Sequence, residues 1–151
     1  DHLDDSDITG EAKNISNPGC YPTSILSPLT PIIKENFIEL ENIIIDSKSG
    51  ITGAGRKSVT ENLFSELSNS IKPYKISNHK HLVEIEKCIA KISGKKKINV
   101  SFTPQVVPIN RGISSNIYVK LKKGKKIEAI RKLFEKKDFI FLKILKKIKF
   151  R

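Results

Sequence analysis

The stretch Glu41-Asn42-Ile43-Ile44-Ile45-Asp46 sets three consecutive isoleucines between polar residues. β-Branched side chains favour extended backbone, and a short apolar run between polar residues is typical of a buried strand. Upstream, the apolar stretch Ser24–Ile33 favours a short helix. Its extent is restricted by Pro28 and Pro31, because proline inside a helix removes a hydrogen bond and clashes with the preceding turn.

Downstream of that strand, periodicity predicts the remaining elements. The segment Leu82–Ile92 repeats its apolar residues at helical spacing, on one face formed by Leu82, Ile85, Ile89 and Ile92. We further expect strands at Ile98–Phe102 and Ile113–Leu121, helices at Asn62–Ser70 and Ile127–Lys136, and a strand or a helix at Phe139–Leu145. This order predicts an α+β fold, with a mixed, mainly antiparallel sheet and helices packed on one face.

Composition narrows the class of protein. The 151 residues suffice for one domain, and no apolar run approaches the length that spans a bilayer or forms a secretory signal. Cys20 and Cys88 have no disulfide-framework spacing, so we expect a cytoplasmic protein with reduced thiols. The net charge of +12 is concentrated in Lys95–Lys97 and in Lys120–Arg151, and arginine is scarce. We therefore expect neither a nucleic-acid nor a membrane partner.

The turn Asn17-Pro18-Gly19-Cys20-Tyr21-Pro22-Thr23 carries the strongest chemical signal. It sets a cysteine just before a predicted helix, where backbone N–H groups stabilise a thiolate and lower the thiol pKa. Taken alone, the same pattern equally fits a small buried cysteine in a turn.

A second cluster is His79-Lys80-His81, followed by Glu84. An imidazole can activate a thiol or deliver a proton, and a carboxylate can orient the imidazole. The alternatives are two exposed histidines ahead of a helix, or a metal site that uses Cys88. The metal alternative lacks any established ligand spacing, and Cys88 falls within an apolar helical pattern typical of the core. No metal site is therefore predicted.

Two loops are candidates for binding anions. The segment Ser47–Arg56 is rich in glycine and ends in arginine, so its amides could hold a phosphate, with cofactor contacts expected at Gly53 and Gly55. It matches neither common nucleotide-binding motif, and a plain flexible connector is the alternative. In the loop Thr103–Gly112, Arg111 could clamp a carboxylate or a phosphate.

Four segments together resemble N-acetyl-γ-glutamyl-phosphate reductases, which are related to aspartate-semialdehyde dehydrogenases. The segments, in the order of the family, are NPGCYPTSILSPLTP (17–31), IIIDSKSGITGAGRK (43–57), NHKHLVEIEK (78–87) and SFTPQVVPINRGI (101–113). The resemblance implies that Cys20 attacks an acyl phosphate, that NADPH reduces the resulting thioester, and that His79 is the general acid–base. It also implies a homo-oligomer, and contacts around the substrate at Tyr74, His81, Glu84 and Arg111.

Relative to that family, the chain shows departures. Leu82-Val83 stands where the family carries Thr-Pro, and nothing before Asn17 resembles the family's glycine-rich nucleotide loop. We expect residues 1–16 to be a tail of a missing NADP-binding domain or disordered, 17–145 to be an incomplete catalytic and dimerisation domain, and 146–151 to be a basic tail. Three alternatives stay open: part of a working reductase, an inactive or split relic of one, or an unrelated basic binding module.

Overall fold

The computed structural model describes residues 17–55 and 67–135. Within these ranges the chain forms three α-helices, namely α1 (Cys20–Lys34), α2 (Lys80–Ser93) and α3 (Ile127–Glu135). It also forms four strands, namely β1 (Ile43–Ser49), β2 (Lys72–Pro73), β3 (Val100–Val106) and β4 (Ile113–Tyr118), and a 3₁₀ turn at Ile51–Ala54.

The four strands form one mixed sheet in the order β2-β3-β1-β4. The central pair is parallel, with Ile43 beside Val100, whereas β4 runs antiparallel to β1 and β2 runs antiparallel to β3. Helix α1 packs against β4 and α2, and α2 packs against β3. The predicted α+β fold, with a mainly antiparallel sheet and helices on one face, is therefore confirmed.

Strand β1 alternates between a helix-facing row and an open row. Ile43, Ile45, Ser47 and Ser49 are buried, while Ile44 is 48% exposed. The prediction ended this strand at Asp46, but the backbone stays extended to Ser49 because both neighbouring strands continue to pair with it. The inward-facing Ser47 hydroxyl is satisfied by Ser115 at 2.7 Å, so the polar end of the strand is buried without an unpaired group.

Helix α1 is longer than predicted. It begins at Cys20, four residues before the predicted start, and runs through both Pro28 and Pro31. Each interior proline removes one backbone hydrogen bond. The helix persists because its apolar side is buried in the core, including Ile25, Leu26 and Leu29, and tertiary packing outweighs propensity in such a helix.

Helix α2 confirms the predicted apolar face. Ile85 and Ile89 are fully buried, and Leu82, Ile92 and Cys88 are partly buried against the same core. The helix begins after the N-cap residue His79 and ends at Gly94, whose φ of 68° is the left-handed conformation usual after a helix.

The other predicted elements shift at their ends or lie outside the described residues. Strand β3 continues to Val106, so the predicted loop starts later, and β4 ends at Tyr118. The helix predicted at Ile127–Lys136 is present as α3. Most of Asn62–Ser70 and all of Phe139–Leu145 fall outside the described ranges, as do residues 1–16 and 146–151. Across the described part of the chain, no helix has the length and apolarity needed to cross a bilayer.

Candidate active site

One edge of the sheet gathers the loops that the sequence singled out. Because β1 and β3 are parallel, their carboxyl ends lie at the same edge, and β4 begins there opposite Ser49. The loop after β1 docks on the loop that precedes β4. Gly50 N–H donates to the carbonyl of Gly112 at 2.9 Å, and Ile51 N–H donates to the carbonyl of Ile109 at 2.9 Å. The carboxyl edge of parallel strands is a common place for ligand sites in α/β sheets.

Cys20 is the first residue of α1, and its side chain is exposed. The N-cap residue is Gly19, so no side chain caps the N–H groups of the first turn, and that turn contains no acidic residue. The positive end of the helix dipole therefore acts on the exposed thiol. The alternative of a buried structural cysteine is wrong for Cys20.

His81 lies directly against the turn that carries Cys20. A β-carbon built on Gly19 would stand only 2.5 Å from His81 Nε2, so the ring occupies the space that any side chain there would need. Glu84 approaches the same turn and accepts a hydrogen bond from Gly19 N–H at 3.2 Å. Burial lowers the pKa of His81, while the Glu84 carboxylate opposes that shift. The imidazole is therefore neutral near pH 7 and can accept a proton.

His79, the predicted acid–base, lies beneath His81 and not at the surface. It is buried, its ring centre is 4.7 Å from that of His81, and its Nδ1 accepts the His81 backbone N–H at 3.1 Å as the N-cap of α2. Burial, and then the charges of His81 and two lysines, lower its pKa to about 4. The neutral ring thus carries its proton on Nε2. The role of His79 as acid–base stays a prediction.

Tyr21 and Tyr74 form a hydroxyl pair beside the histidines. The Tyr74 hydroxyl donates to that of Tyr21 at 3.0 Å, and the Tyr21 ring packs edge-on against His79 and Phe102. Burial raises the pKa of both phenols, and the Cys20 thiolate raises that of Tyr74 further. Tyr74 was predicted as a site residue. Tyr21 was missed, although its place directly after the cysteine was the signal available.

The two loops predicted to bind anions differ in whether their polar groups are accessible. Arg111 is exposed on the loop that docks on Gly50, so its guanidinium is accessible. In the glycine-rich loop, however, Gly53 N–H donates to the carbonyl of Gly50 and Gly55 N–H to that of Thr52, both at 3.2 Å. These two amides are satisfied within the protein, so they do not form the expected phosphate cradle. Cofactor contact at Gly53 and Gly55 stays a prediction, but it is not supported by free backbone amides. Arg56, at the end of this loop, lies outside the described residues.

Within residues 17–55 and 67–135, no three His, Cys, Asp or Glu side chains converge as a group that could hold a metal ion. The predicted site residues Cys20, Tyr74, His79, His81 and Glu84 do converge, through the contacts given above, where the start of α1 meets the start of α2.

The fold places the chain in the structural class of the semialdehyde dehydrogenases. Aspartate semialdehyde dehydrogenase II from Vibrio cholerae matches it with a TM-score of 0.64 at 19% identity, over 82% of this chain and 43% of that one, a likeness that establishes the fold alone. A family model described as "Semialdehyde dehydrogenase, dimerisation domain" matches residues 20–149. The chain belongs to this family.

Sequence relatives are closer and share a more specific name. A protein of Halothermothrix orenii named N-acetyl-gamma-glutamyl-phosphate reductase is 48% identical over 133 residues, which are 87% of this chain and 38% of that protein. A probable chloroplastic one from Arabidopsis thaliana is 42% identical over 137 residues, 89% of this chain and 34% of that protein. The resemblance seen in the four segments is confirmed, and the chain spans less than two fifths of these relatives.

Proposed function

We propose that this chain is the nucleophile-bearing part of an NADPH-dependent N-acetyl-γ-glutamyl-phosphate reductase. The observation that carries the proposal is the exposed Cys20 thiol at the start of α1, with the His81 ring against the preceding residue. An exposed thiol with a neutral imidazole close to its turn suits covalent acyl transfer. The names of the relatives supply the substrate class.

In the proposed reaction the Cys20 thiolate attacks the carbonyl carbon of the acyl phosphate. A carbon–sulfur bond forms, and the carbon–oxygen bond to phosphate breaks, with its electron pair leaving on the phosphate. The product is a thioester on Cys20. A hydride added to that carbonyl carbon, followed by departure of the thiolate, releases the aldehyde. The resemblance assigns the hydride to NADPH, a two-electron donor.

His81 supports the first step better than His79 does. Its ring contacts the residue that precedes Cys20, whereas the Nδ1 of His79 is engaged as a helix cap. We therefore assign proton transfer at sulfur to His81 and assign His79 to holding the start of α2 in place. Arg111, exposed at the same edge of the sheet, is the proposed contact for a carboxylate or phosphate of the substrate.

We do not assign cofactor binding to the glycine-rich loop. The amides of Gly53 and Gly55 are engaged with carbonyls, and a loop with engaged amides does not bind phosphate as a cradle does. We therefore assign to these residues the chemistry at sulfur and the binding of the substrate, and not the binding of the nicotinamide.

Self-association is the second part of the proposal. The family is described as a dimerisation domain, and within residues 17–55 and 67–135 the sheet face turned away from the helices is partly exposed. On that face Ile44 and Tyr118 are directly paired across β1 and β4 and are 48% and 58% exposed. Large exposed apolar side chains that lie side by side are typical of protein interfaces, so we propose that this face pairs with a second copy of the chain.

The test uses the two cysteines as internal controls for each other. We expect iodoacetamide to modify the exposed Cys20 readily and the partly buried Cys88 far more slowly. Incubation with the acyl phosphate of N-acetylglutamate, without reductant, should release phosphate and add the acyl mass to Cys20. The matched variants are Cys20→Ser, which should lose the adduct, and Cys88→Ser, which should keep it.

The same experiment separates the remaining alternatives. If Cys20 alkylates readily but takes no acyl group, the described site is not sufficient for acyl transfer, and the inactive or split relic becomes the better interpretation. If Cys20 alkylates like Cys88 and takes no acyl group, the proposal is wrong. The aminoadipyl analogue, whose chain is one methylene longer, distinguishes the two candidate substrates by the rate of phosphate release. The third alternative, an unrelated basic module, is excluded by family membership.

A further inference from the structure

Helix α1 lacks the residues that normally complete a helix start. Its N-cap is Gly19, which has no side chain, and its third position is Pro22, where a capping box places Glu or Gln to bind the N-cap N–H. Glu84 supplies that missing carboxylate from another helix. Its Oε1 accepts the Gly19 N–H at 3.2 Å, although 65 residues separate the two in sequence.

The same carboxylate acts on His81. Glu84 and His81 are three residues apart on α2, so their side chains share a face of the helix. The His81 ring fills the space next to Gly19, and its Nδ1 is buried with no hydrogen-bond partner among the described residues. Glu84 therefore contacts the turn that carries the nucleophile and places its charge beside the imidazole that serves it.

We propose that Glu84 is a positioning residue: its carboxylate fixes the backbone turn that carries Cys20 and sustains proton acceptance by His81. This inference rests on the proposed function of Cys20 and refines the family resemblance, which placed Glu84 around the substrate. Glu84 acts through Gly19 and His81, since one of its oxygens is already bonded to the turn.

The experiment compares three variants of the full chain in a Cys88→Ser background. Glu84→Gln keeps an oxygen acceptor for Gly19 N–H but removes the charge, whereas Glu84→Ala removes both. Glu86→Gln is the matched control, because Glu86 lies on the same helix and also accepts a backbone N–H, that of Val100 at 3.0 Å, away from Cys20. The readouts are the His81 pKa from its ring proton shifts and the rate of Cys20 alkylation at pH 7.

For Glu84→Gln we expect the His81 pKa to fall further below its ordinary value, since an adjacent opposite charge is lost. Transfer of the thiol proton to His81 then becomes less favourable, so the alkylation rate at pH 7 should fall up to about tenfold. Thermal stability should change little in this variant. Glu84→Ala should show the same loss of reactivity together with a lower Tm, and Glu86→Gln should keep the parent reactivity.

Unchanged His81 pKa and Cys20 reactivity in both Glu84 variants would overturn the inference while the parent Cys20 remains activated. In contrast, a parent whose Cys20 is no more reactive than an ordinary thiol would overturn the proposed function and the inference together. A purely structural role is also recognisable: Glu84→Ala would then lower Tm, while Glu84→Gln would retain the parent pH profile, and that result too refutes the proposal.

Discussion

Adding a single methyl group at Gly19 tests the geometry of the site. The backbone of Gly19, with φ −64° and ψ 159°, is an extended conformation that alanine adopts without strain. The new β-carbon, however, would lie 2.5 Å from His81 Nε2 and 2.8 Å from Cδ2 and Cε1. Any effect of Gly19→Ala beyond a weaker helix cap must therefore come from collision with the imidazole.

The size of the effect follows from the overlap. Non-bonded heavy atoms prefer about 3.5–4.0 Å, so the ring must move by roughly 1 Å. It cannot move freely, because the rings of His79 and Tyr21 lie 4.7 and 5.9 Å from its centre. Overpacking of this kind costs about 1–3 kcal/mol, and each kcal/mol lowers Tm by about 2–4 °C for a chain of this length. We also expect slower alkylation of Cys20, since the imidazole is displaced.

A double-mutant cycle isolates the collision. Urea unfolding would give the free energy of unfolding lost through Gly19→Ala, both in the parent and in a His81→Ala background, where the ring is absent. The weaker helix cap contributes equally in both backgrounds and cancels, so the two costs should differ by about 1–3 kcal/mol. Equal costs in the two backgrounds would refute the placement of His81 against the Cys20 turn.

Two further predictions concern pH and self-association. The pKa of His79 is lowered from 6.5 to about 4 in the folded chain. As pH falls, the unfolded chain therefore binds a proton at His79 before the folded chain does. The free energy of unfolding should fall as pH falls from 6.5 to 4. His79→Asn keeps a side-chain cap acceptor but does not titrate, so its urea midpoint should fall less over this window; equal falls would contradict the shift. Tyr118→Lys should weaken dimers in sedimentation equilibrium, because it places like charges on the paired faces of two copies. The control Lys132→Ala on α3 should not weaken them. Dimers that persist in Tyr118→Lys would exclude this sheet face as the dimer interface.

The fold was predictable where the pattern was regular. The isoleucine run of β1 and the apolar spacing of α2 each reflect burial by a single sheet or helix face, and both elements appear close to their predicted positions. Helix α1 was predicted too short because helix propensity, which disfavours its two prolines, takes no account of the core that buries the helix around them. Strand β2 was missed since it has only two residues, one of them Pro73, and pairs with β3 at the edge of the sheet.

The proximity of the candidate site residues was predictable, but their arrangement was not. Motif order and family resemblance brought together Cys20, His79, His81 and Glu84, and the structure places all of them where the starts of α1 and α2 meet. The residues alone could not rank the two histidines, since they stand two positions apart at the start of the same helix. Their proposed roles differ because one ring caps the helix and the other contacts Gly19. Long-range packing decides which ring does which.

The contacts also give physical reasons for the residues of the turn that carries Cys20. Gly19 leaves the space that the His81 ring fills, and the Tyr21 hydroxyl accepts a hydrogen bond from Tyr74. Pro22 sits in the first helical turn, where an N–H has no intrahelical acceptor to lose. The Thr23 hydroxyl closes the turn by donating to the carbonyl of Gly19 at 2.9 Å. Gly19 and Tyr21, the two immediate neighbours of Cys20, are thus each held by contacts from another part of the chain, which is how a proposed nucleophile would be positioned in advance.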